Sequence, residues 1–173
     1  VAKNKILSTK ETHGTDSKTT NSNQTAYIEL YKNLLVTITA VERVNKRVIK
    51  SGKCLTDSHR SFLTNHVTTE EVKEALFDIP GTKSPGPDGY GSQFYKDAWH
   101  IIGDEVTLAI QSTYDSGMLL KQLNSTFISV IPKVEIPDNV TQFRPIACCN
   151  TLYQTLTKVL CARLNKILTE IIN

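Results

Sequence analysis

A segment rich in proline and glycine interrupts the middle of this 173-residue chain. Between Pro85 and Gly89, two prolines and two glycines occur within five residues. Proline lacks a backbone donor, so it breaks helices and is restricted to the edges of sheets. The segment is therefore neither a helix nor a central strand. We predict a rigid loop of specific shape over residues 83–89.

Helical periodicity marks two elements before this loop. Apolar residues recur at helical spacing over residues 26–39, which predicts a helix. Further on, Thr68 and Glu71 have the spacing of a capping box, and an amphipathic helix follows them. The N-terminal stretch is polar and has few apolar residues, so we expect a disordered or loose segment over residues 1–25.

Beyond the loop the pattern changes from helical to extended and back. Two short helices are predicted to close at Gly103 and Gly117. β-Branched and aromatic residues at 126–131 and 143–148 predict two strands, which a turn joins into an antiparallel ribbon. The longest helical stripe follows, capped by Asn150. The predicted fold class is thus α+β and helix-rich, with a short β-ribbon.

Composition and motif content exclude several classes of function. The net charge is +3, which by itself is too weak to indicate a nucleic-acid-binding protein. No stretch approaches the roughly eighteen apolar residues of a membrane-spanning helix. No phosphate-loop, nucleophile or metal-ligand pattern occurs, so neither a catalytic residue nor a metal site is predicted. The four cysteines form no C-x-x-C pair and are expected to be buried free thiols in a reducing compartment.

Two cations at the strand ends stand out from the remaining residues. Lys133 ends the first predicted strand and Arg144 opens the second, each beside a proline. If the strands pair, both cations lie at one end of the ribbon, where an ammonium and a guanidinium fork can clamp a polyphosphate. The alternative, that both are ordinary solvated cations, stays open on this pattern alone.

A series of short motifs runs through the chain in a fixed order. They are K-S-P-G-P-D-G-Y at 83–90, F-Y-K-D-A-W-H-I-I-G at 94–103, L-K-Q-L-N at 120–124, I-P-K-V at 131–134, F-R-P-I-A-C-C-N at 143–150 and L-C-A-R-L at 160–164. Together they resemble the reverse transcriptase domain of LINE-type, non-LTR retrotransposons, in its plant-like form. The resemblance includes a helical connector over residues 26–67 and a partial reverse transcriptase domain over residues 68–173.

The resemblance implies a fold, an activity and partners. The fold would be the fingers portion of a right-hand polymerase with an incomplete palm. The family synthesises DNA from an RNA template and a DNA primer, using deoxynucleoside triphosphates and Mg²⁺ ions held by palm aspartates. Those aspartate motifs are missing from this sequence. We therefore expect an intracellular fragment, nuclear or cytoplasmic, that binds no cofactor or membrane and is not catalytically competent alone.

The resemblance also assigns site residues. Lys133 and Arg144 correspond to the fingers cations that hold the triphosphate of the incoming nucleotide. Asp88 is expected to shape its turn through side-chain hydrogen bonds and not to bind a metal ion. The loop that would lie near the template consists of Lys83, Ser84, Pro85, Gly86, Pro87, Asp88 and Gly89.

Two other interpretations remain. The chain could be a non-catalytic nucleic-acid-binding module, or a helical protein-interaction fragment that docks through the apolar stripe at 152–171. Without a palm sheet to pack on, that stripe is expected to expose apolar surface. The further cations that a nucleic-acid-binding module would use as phosphate contacts are Arg43, Lys46, Arg47, Lys50, Lys158, Arg163 and Lys166.

Overall fold

The computed structural model describes residues 9–10, 16–17, 20–36, 47 and 52–172. Over these residues the fold is helix-rich, and its strands form two-stranded sheets. A 3₁₀ turn at Val140–Gln142 precedes the last strand. In chain order the elements are β1 (Thr9–Lys10), β2 (Asp16–Ser17), α1 (Thr20–Val36), α2 (Asp57–Thr64), α3 (Thr69–Phe77), α4 (Ser92–Asp97), α5 (Trp99–Ser116), β3 (Thr126–Pro132), β4 (Phe143–Cys149) and α6 (Thr151–Ile171).

The chain divides into two compact units, each discontinuous in sequence. The ribbon unit contains Val1–Val44 and Ile128–Ala147, and the helical unit contains Asn45–Phe127 and Cys148–Asn173. The division into residues 1–25, 26–67 and 68–173 that the sequence predicts does not follow these units. The reason is that α2, from the predicted connector, packs on α6, whereas α1 packs beside the turn that precedes β4.

The core of the helical unit forms around α3. The predicted capping box is present, because the Glu71 amide donates to Thr68 Oγ1 at 3.3 Å and the Thr68 amide donates to Glu71 Oε2 at 3.0 Å. From this fixed start, Val72 and Leu76 lie on one helix face and are fully buried. Each such aliphatic side chain stabilises the fold by about 1.5–3 kcal/mol. The other buried members of this core are Val67, Ala75, Ile79, Tyr95, Val106, Ile110 and Val159.

Arg163 of α6 connects α2 and α3 through one buried guanidinium. The residue is 3% exposed, and its guanidinium donates to Glu71 Oε1 at 2.9 Å and to Glu71 Oε2 at 2.8 Å. It also donates to the carbonyls of Leu63, Asn65 and His66, at 3.3, 2.6 and 3.0 Å. The last carbonyls of a helix lack partners within the helix, so Arg163 caps the C-terminal end of α2 while it holds the first turn of α3.

Acid is expected to weaken the Arg163–Glu71 pair. The hydrogen bond from Arg163 lowers the pKa of Glu71 from its ordinary value of 4.5. The resulting stabilisation is fully present above the pKa of the unfolded chain and is lost as the pH falls through the lowered, folded-state pKa. In urea unfolding, the stability difference between wild type and Glu71→Gln should therefore shrink between about pH 7 and pH 3. A difference that stays constant over this range would show that the pair does not titrate in this way.

In the ribbon unit, α1 packs against the residues that lead into β4. The rings of Tyr27 and Phe143 meet edge to face, with centroids 5.4 Å apart, and Val140 is fully buried in the same cluster. Burial, with Tyr31 nearby, raises the pKa of Tyr27 to about 12. Its hydroxyl therefore stays protonated at neutral pH. Ala26, Leu30, Tyr31 and Val130 complete this second core.

Several helix boundaries differ from the predictions for identifiable reasons. α1 begins at Thr20, within the segment expected to be loose, because a polar first turn carries no apolar periodicity. α2 is not predicted from the sequence, since its capping box pairs Thr56 with His59 instead of Glu or Gln. Gly103 does not end a helix. It is buried within α5, where an added Cβ would lie 2.9 Å from the Trp99 ring.

The expectation of exposed apolar surface along α6 is confirmed only in part. Leu160 and Leu168 are 43% and 40% exposed, but Val159 and Ile167 are buried. The stripe finds its partner in α3 of the same unit, so it does not depend on a palm sheet. Larger exposed fractions occur outside α6, at Leu34, Ile101, Leu108, Met118, Leu120, Phe127, Ile128 and Ile136.

The expectation of buried thiols is also wrong. Cys54 and Cys161 are exposed, and Cys148 and Cys149 are half-buried. All four are free, as expected from their spacing.

Candidate functional site

The two predicted strands form a ribbon with one continuous register. The Lys133 amide donates to the Gln142 carbonyl at 2.8 Å, and the Thr126 hydroxyl donates to Cys149 Sγ at 3.5 Å. Thr126 lies seven positions before Lys133, and Cys149 lies seven positions after Gln142, so β3 and β4 are antiparallel. In this register Ile131 lies opposite Arg144.

Lys133 and Arg144 lie at the same end of this ribbon. In an antiparallel pair, opposite residues project to the same face, so Ile131 and Arg144 project together. Lys133 follows directly after β3, and Gln142, to whose carbonyl its amide donates, lies two residues before Arg144. Both cations are exposed. Val130 and Phe143 project to the opposite face, where they join the core with α1.

Hydrogen bonds fix the backbone around the two cations. The Lys133 ammonium donates to the Thr141 carbonyl at 2.8 Å. Gln142 Oε1 accepts from the amides of Asp138 and Asn139, at 2.8 and 3.4 Å, so the turn between the strands is held by a side chain. To contact a phosphate, the flexible Lys133 side chain has to exchange a carbonyl for a phosphate oxygen, whereas the Arg144 guanidinium has no side-chain hydrogen bond within the described residues.

The proline–glycine loop forms a tight turn in the helical unit. The Gly89 amide donates to the Gly86 carbonyl at 3.0 Å, with Pro87 and Asp88 at the corners and Gly89 at a φ of +79°. The Asp88 carboxylate accepts from the Tyr90 amide at 3.1 Å, which is the side-chain hydrogen bond that the sequence predicts for it. The prolines restrict the backbone, and the turn fixes its direction.

Asn150 holds this loop, which differs from the capping role predicted for it. Its side chain makes no hydrogen bond to the first turn of α6. Instead Asn150 Oδ1 accepts from the Asp88 amide at 3.2 Å, and Asn150 Nδ2 donates to the Gln122 carbonyl at 2.9 Å. Asn150 is buried, and Gly86 lies so close that an added Cβ would be 2.4 Å from the Asn150 nitrogen.

A second anchor fixes the residue that follows the loop. The Thr151 hydroxyl donates to the Tyr90 carbonyl at 3.0 Å. Asn150 and Thr151 therefore support the loop, a role that the sequence does not predict. The motif F-R-P-I-A-C-C-N ends at Asn150, directly before the last helix, and is the sequence signal that marks these two residues. Only the fold brings them into contact with residues about sixty positions earlier.

Two of the predicted phosphate contacts form ion pairs with carboxylates. Arg163 is buried and its guanidinium is committed to Glu71 and three carbonyls, so it does not reach solvent. Lys158 forms an ion pair with Asp78 at the surface, and this pair lowers the pKa of Asp78. Lys166 lies over the Phe62 ring at 5.5 Å and is exposed. Arg47 is exposed, whereas Arg43, Lys46 and Lys50 lie outside the described residues.

The described part of the chain has neither a metal-binding cluster nor a membrane-spanning helix. No group of three or more histidine, cysteine, aspartate or glutamate side chains there has the geometry to hold a metal ion. Within the same residues, none of the helices combines the length and apolar character needed to cross a bilayer.

Comparison with known proteins gives one distant relationship. No protein-family model matches the chain. Over 119 residues the chain is 25% identical to a Xenopus laevis protein described as "Transposon TX1 uncharacterized 149 kDa protein". The match covers 69% of this chain and 9% of that protein, so the chain spans a small part of its relative's length. The chain is thus a distant homologue of a transposon-encoded protein.

Proposed function

We propose that this chain is the fingers-side part of a non-LTR retrotransposon reverse transcriptase. In this role it contributes contacts to the template and to the incoming nucleotide. It supplies no catalytic carboxylates, since the sequence has no pair of adjacent aspartates. The homology to a transposon protein and the order of the motifs between Lys83 and Asn150 support the proposal.

The observation that carries the proposal is the position of exposed Lys133 and exposed Arg144 at one end of the ribbon. An ammonium and a guanidinium held near each other on a hydrogen-bonded ribbon can together contact the oxygens of one polyphosphate group. The ribbon turn is held by Gln142, so the two cations are presented on a fixed backbone. Charge on the phosphates is neutralised here, and sequence information comes from base pairing with a template.

Replacing Lys133 and Arg144 by glutamine tests this proposal. A fluorescently labelled deoxynucleoside triphosphate should bind to the wild-type chain, and unlabelled tripolyphosphate should displace it. The double variant should bind about tenfold or more weakly, because charge-assisted hydrogen bonds to phosphate are lost. Binding to single-stranded RNA should also depend less on salt. The slope of log K against log salt concentration should become shallower by about 0.7 for each lost phosphate contact. Fluorescence anisotropy measures both.

Lys121→Gln is the matched control for this experiment. Lys121 is exposed and belongs to the segment before β3. Its replacement changes the net charge without touching the proposed clamp, so nucleotide affinity should stay near that of wild type. If Lys121→Gln weakened nucleotide binding as much as the substitutions at Lys133 and Arg144 do, the loss would reflect only the change in net charge. Absence of triphosphate and RNA binding by wild type at low salt would overturn the proposal.

A further inference from the structure

Two aromatic rings form an exposed surface directly after the proline–glycine loop. Tyr90 is 50% exposed and Phe94 is 46% exposed. Their ring centroids are 4.7 Å apart and the ring planes are tilted by 36°. Solvent therefore reaches a pair of neighbouring aromatic rings at the place where the loop joins α4.

The rings stand on a rigid support. The buried Tyr95 ring packs edge-on against both of them, with centroids 6.4 Å from Tyr90 and 5.3 Å from Phe94. The Tyr90 backbone is held on both sides, since its amide donates to Asp88 Oδ1 and its carbonyl accepts from Thr151 Oγ1. Little conformational entropy remains to be lost at this backbone when a ligand binds.

A cationic residue lies close to the segment that connects the two rings. Lys83 is exposed, and its carbonyl would be 3.9 Å from a Cβ added at Gly91, the residue between Tyr90 and α4. The Lys83 main chain therefore runs next to Gly91. Aromatic rings that stack bases, combined with cations that contact the backbone, are the features with which proteins bind single-stranded nucleic acids.

We propose that Tyr90 and Phe94 bind an unpaired nucleobase by stacking, while Lys83 contacts an adjacent phosphate. The ligand is a single-stranded stretch of RNA or DNA, and within the proposed function it is the template strand. This inference rests on the proposed function but extends the candidate site beyond residues 83–89 to two residues whose contribution is independent of charge. A flat base covers both rings, whereas an aliphatic side chain has no π face to stack on them.

Alanine substitution of Tyr90 tests the proposal on the full chain. The probe is a labelled single-stranded RNA of about 12 nucleotides, which is within the site sizes of single-strand binders. Tyr90→Ala should weaken binding about tenfold, as should Phe94→Ala, and the dependence on salt should stay unchanged because no phosphate contact is removed. Tyr90→Phe keeps the ring and should bind like wild type.

An RNA with abasic positions separates stacking from loss of fold. Wild type should bind this RNA about as weakly as Tyr90→Ala binds the normal RNA, and Tyr90→Ala should lose little more on it. Equal affinity of wild type and both alanine variants for normal RNA would overturn the inference and assign the rings to a contact with protein. An equal loss on normal and abasic RNA would overturn it too. If wild type binds no RNA at low salt, the proposed function itself fails.

Discussion

The Arg163→Met variant is expected to lose about 3–5 kcal/mol of unfolding free energy, the usual cost of breaking a buried ion pair from one side. Methionine has a volume close to that of the arginine stem and avoids a large cavity. The loss arises from the groups left behind. Glu71 keeps a carboxylate with no guanidinium, and the carbonyls of Asn65 and His66 lose their donors. Leaving partly buried acceptors unpaired is costly.

Two features of the site set where in this range the loss should fall. The Glu71 side chain is 28% exposed, so water can partly solvate its carboxylate once Arg163 is gone. This lowers the penalty at that end of the pair. The carbonyls at the end of α2 lose the donor that Arg163 supplies. We therefore expect α2 to fray first.

Urea unfolding followed by circular dichroism measures the effect, and Lys158→Met provides the control. Lys158 lies on the same helix but forms an exposed pair with Asp78. Exposed pairs are screened by water, so this substitution should leave the urea midpoint almost unchanged. A double-mutant cycle with Glu71→Gln isolates the coupling of Arg163 to Glu71. If Arg163→Met and Lys158→Met had similar midpoints, the buried network would not stabilise the unit as argued.

The sequence is informative where a few neighbouring residues determine the structure. The capping box at Thr68 and Glu71 satisfies its own backbone donors, so its pattern predicts a helix start without knowledge of the fold. β3 and β4 are also predicted closely, because β-branched residues and prolines mark their limits. The pairing of the two strands then places Lys133 and Arg144 at one end of the ribbon.

The sequence is uninformative where a residue acts on a distant segment. Arg163 has the residue type of a surface cation, yet it donates to residues about one hundred positions earlier. Asn150 has the residue type and location of a helix cap, yet its side chain holds the loop at Asp88. Local propensity does not predict these contacts, since they depend on tertiary packing. Periodicity likewise places a helix end at Gly103, where close contact with Trp99 requires glycine.

The Gly86→Ala substitution is expected to displace the proline–glycine loop and to cost about 2–3 kcal/mol, in the upper part of the range for overpacked sites. An added Cβ would lie 2.3 Å from Asn150 Oδ1, 2.4 Å from the Asn150 nitrogen and 2.6 Å from the Cys149 carbonyl carbon. Two of these atoms belong to the backbone, so no change of rotamer relieves the contact. Either the loop or the junction of β4 with α6 has to move.

Displacement of the loop should break a specific set of hydrogen bonds. The Asp88 amide would lose Asn150 Oδ1, and the turn bond from Gly89 to Gly86 would be strained. Hydrogen exchange at the amides of Asp88 and Gly89 should therefore become faster in Gly86→Ala, while exchange in α3 stays slow because its core is untouched. Mass spectrometry or NMR measures these local rates separately from global stability.

Gly91→Ala is the matched control, because Gly91 lies only five residues after Gly86, directly before α4. The nearest atom to a Cβ at Gly91 is the Lys83 carbonyl oxygen at 3.9 Å, an ordinary contact, and the Gly91 backbone has a φ of −78° that alanine adopts freely. Gly91→Ala should therefore leave exchange at Asp88 slow. If both substitutions accelerated exchange equally, close packing on Asn150 would not be the reason for glycine at position 86. Acceleration in Gly86→Ala alone, accompanied by weaker RNA binding, would connect the shape of the loop to its proposed contact with the template.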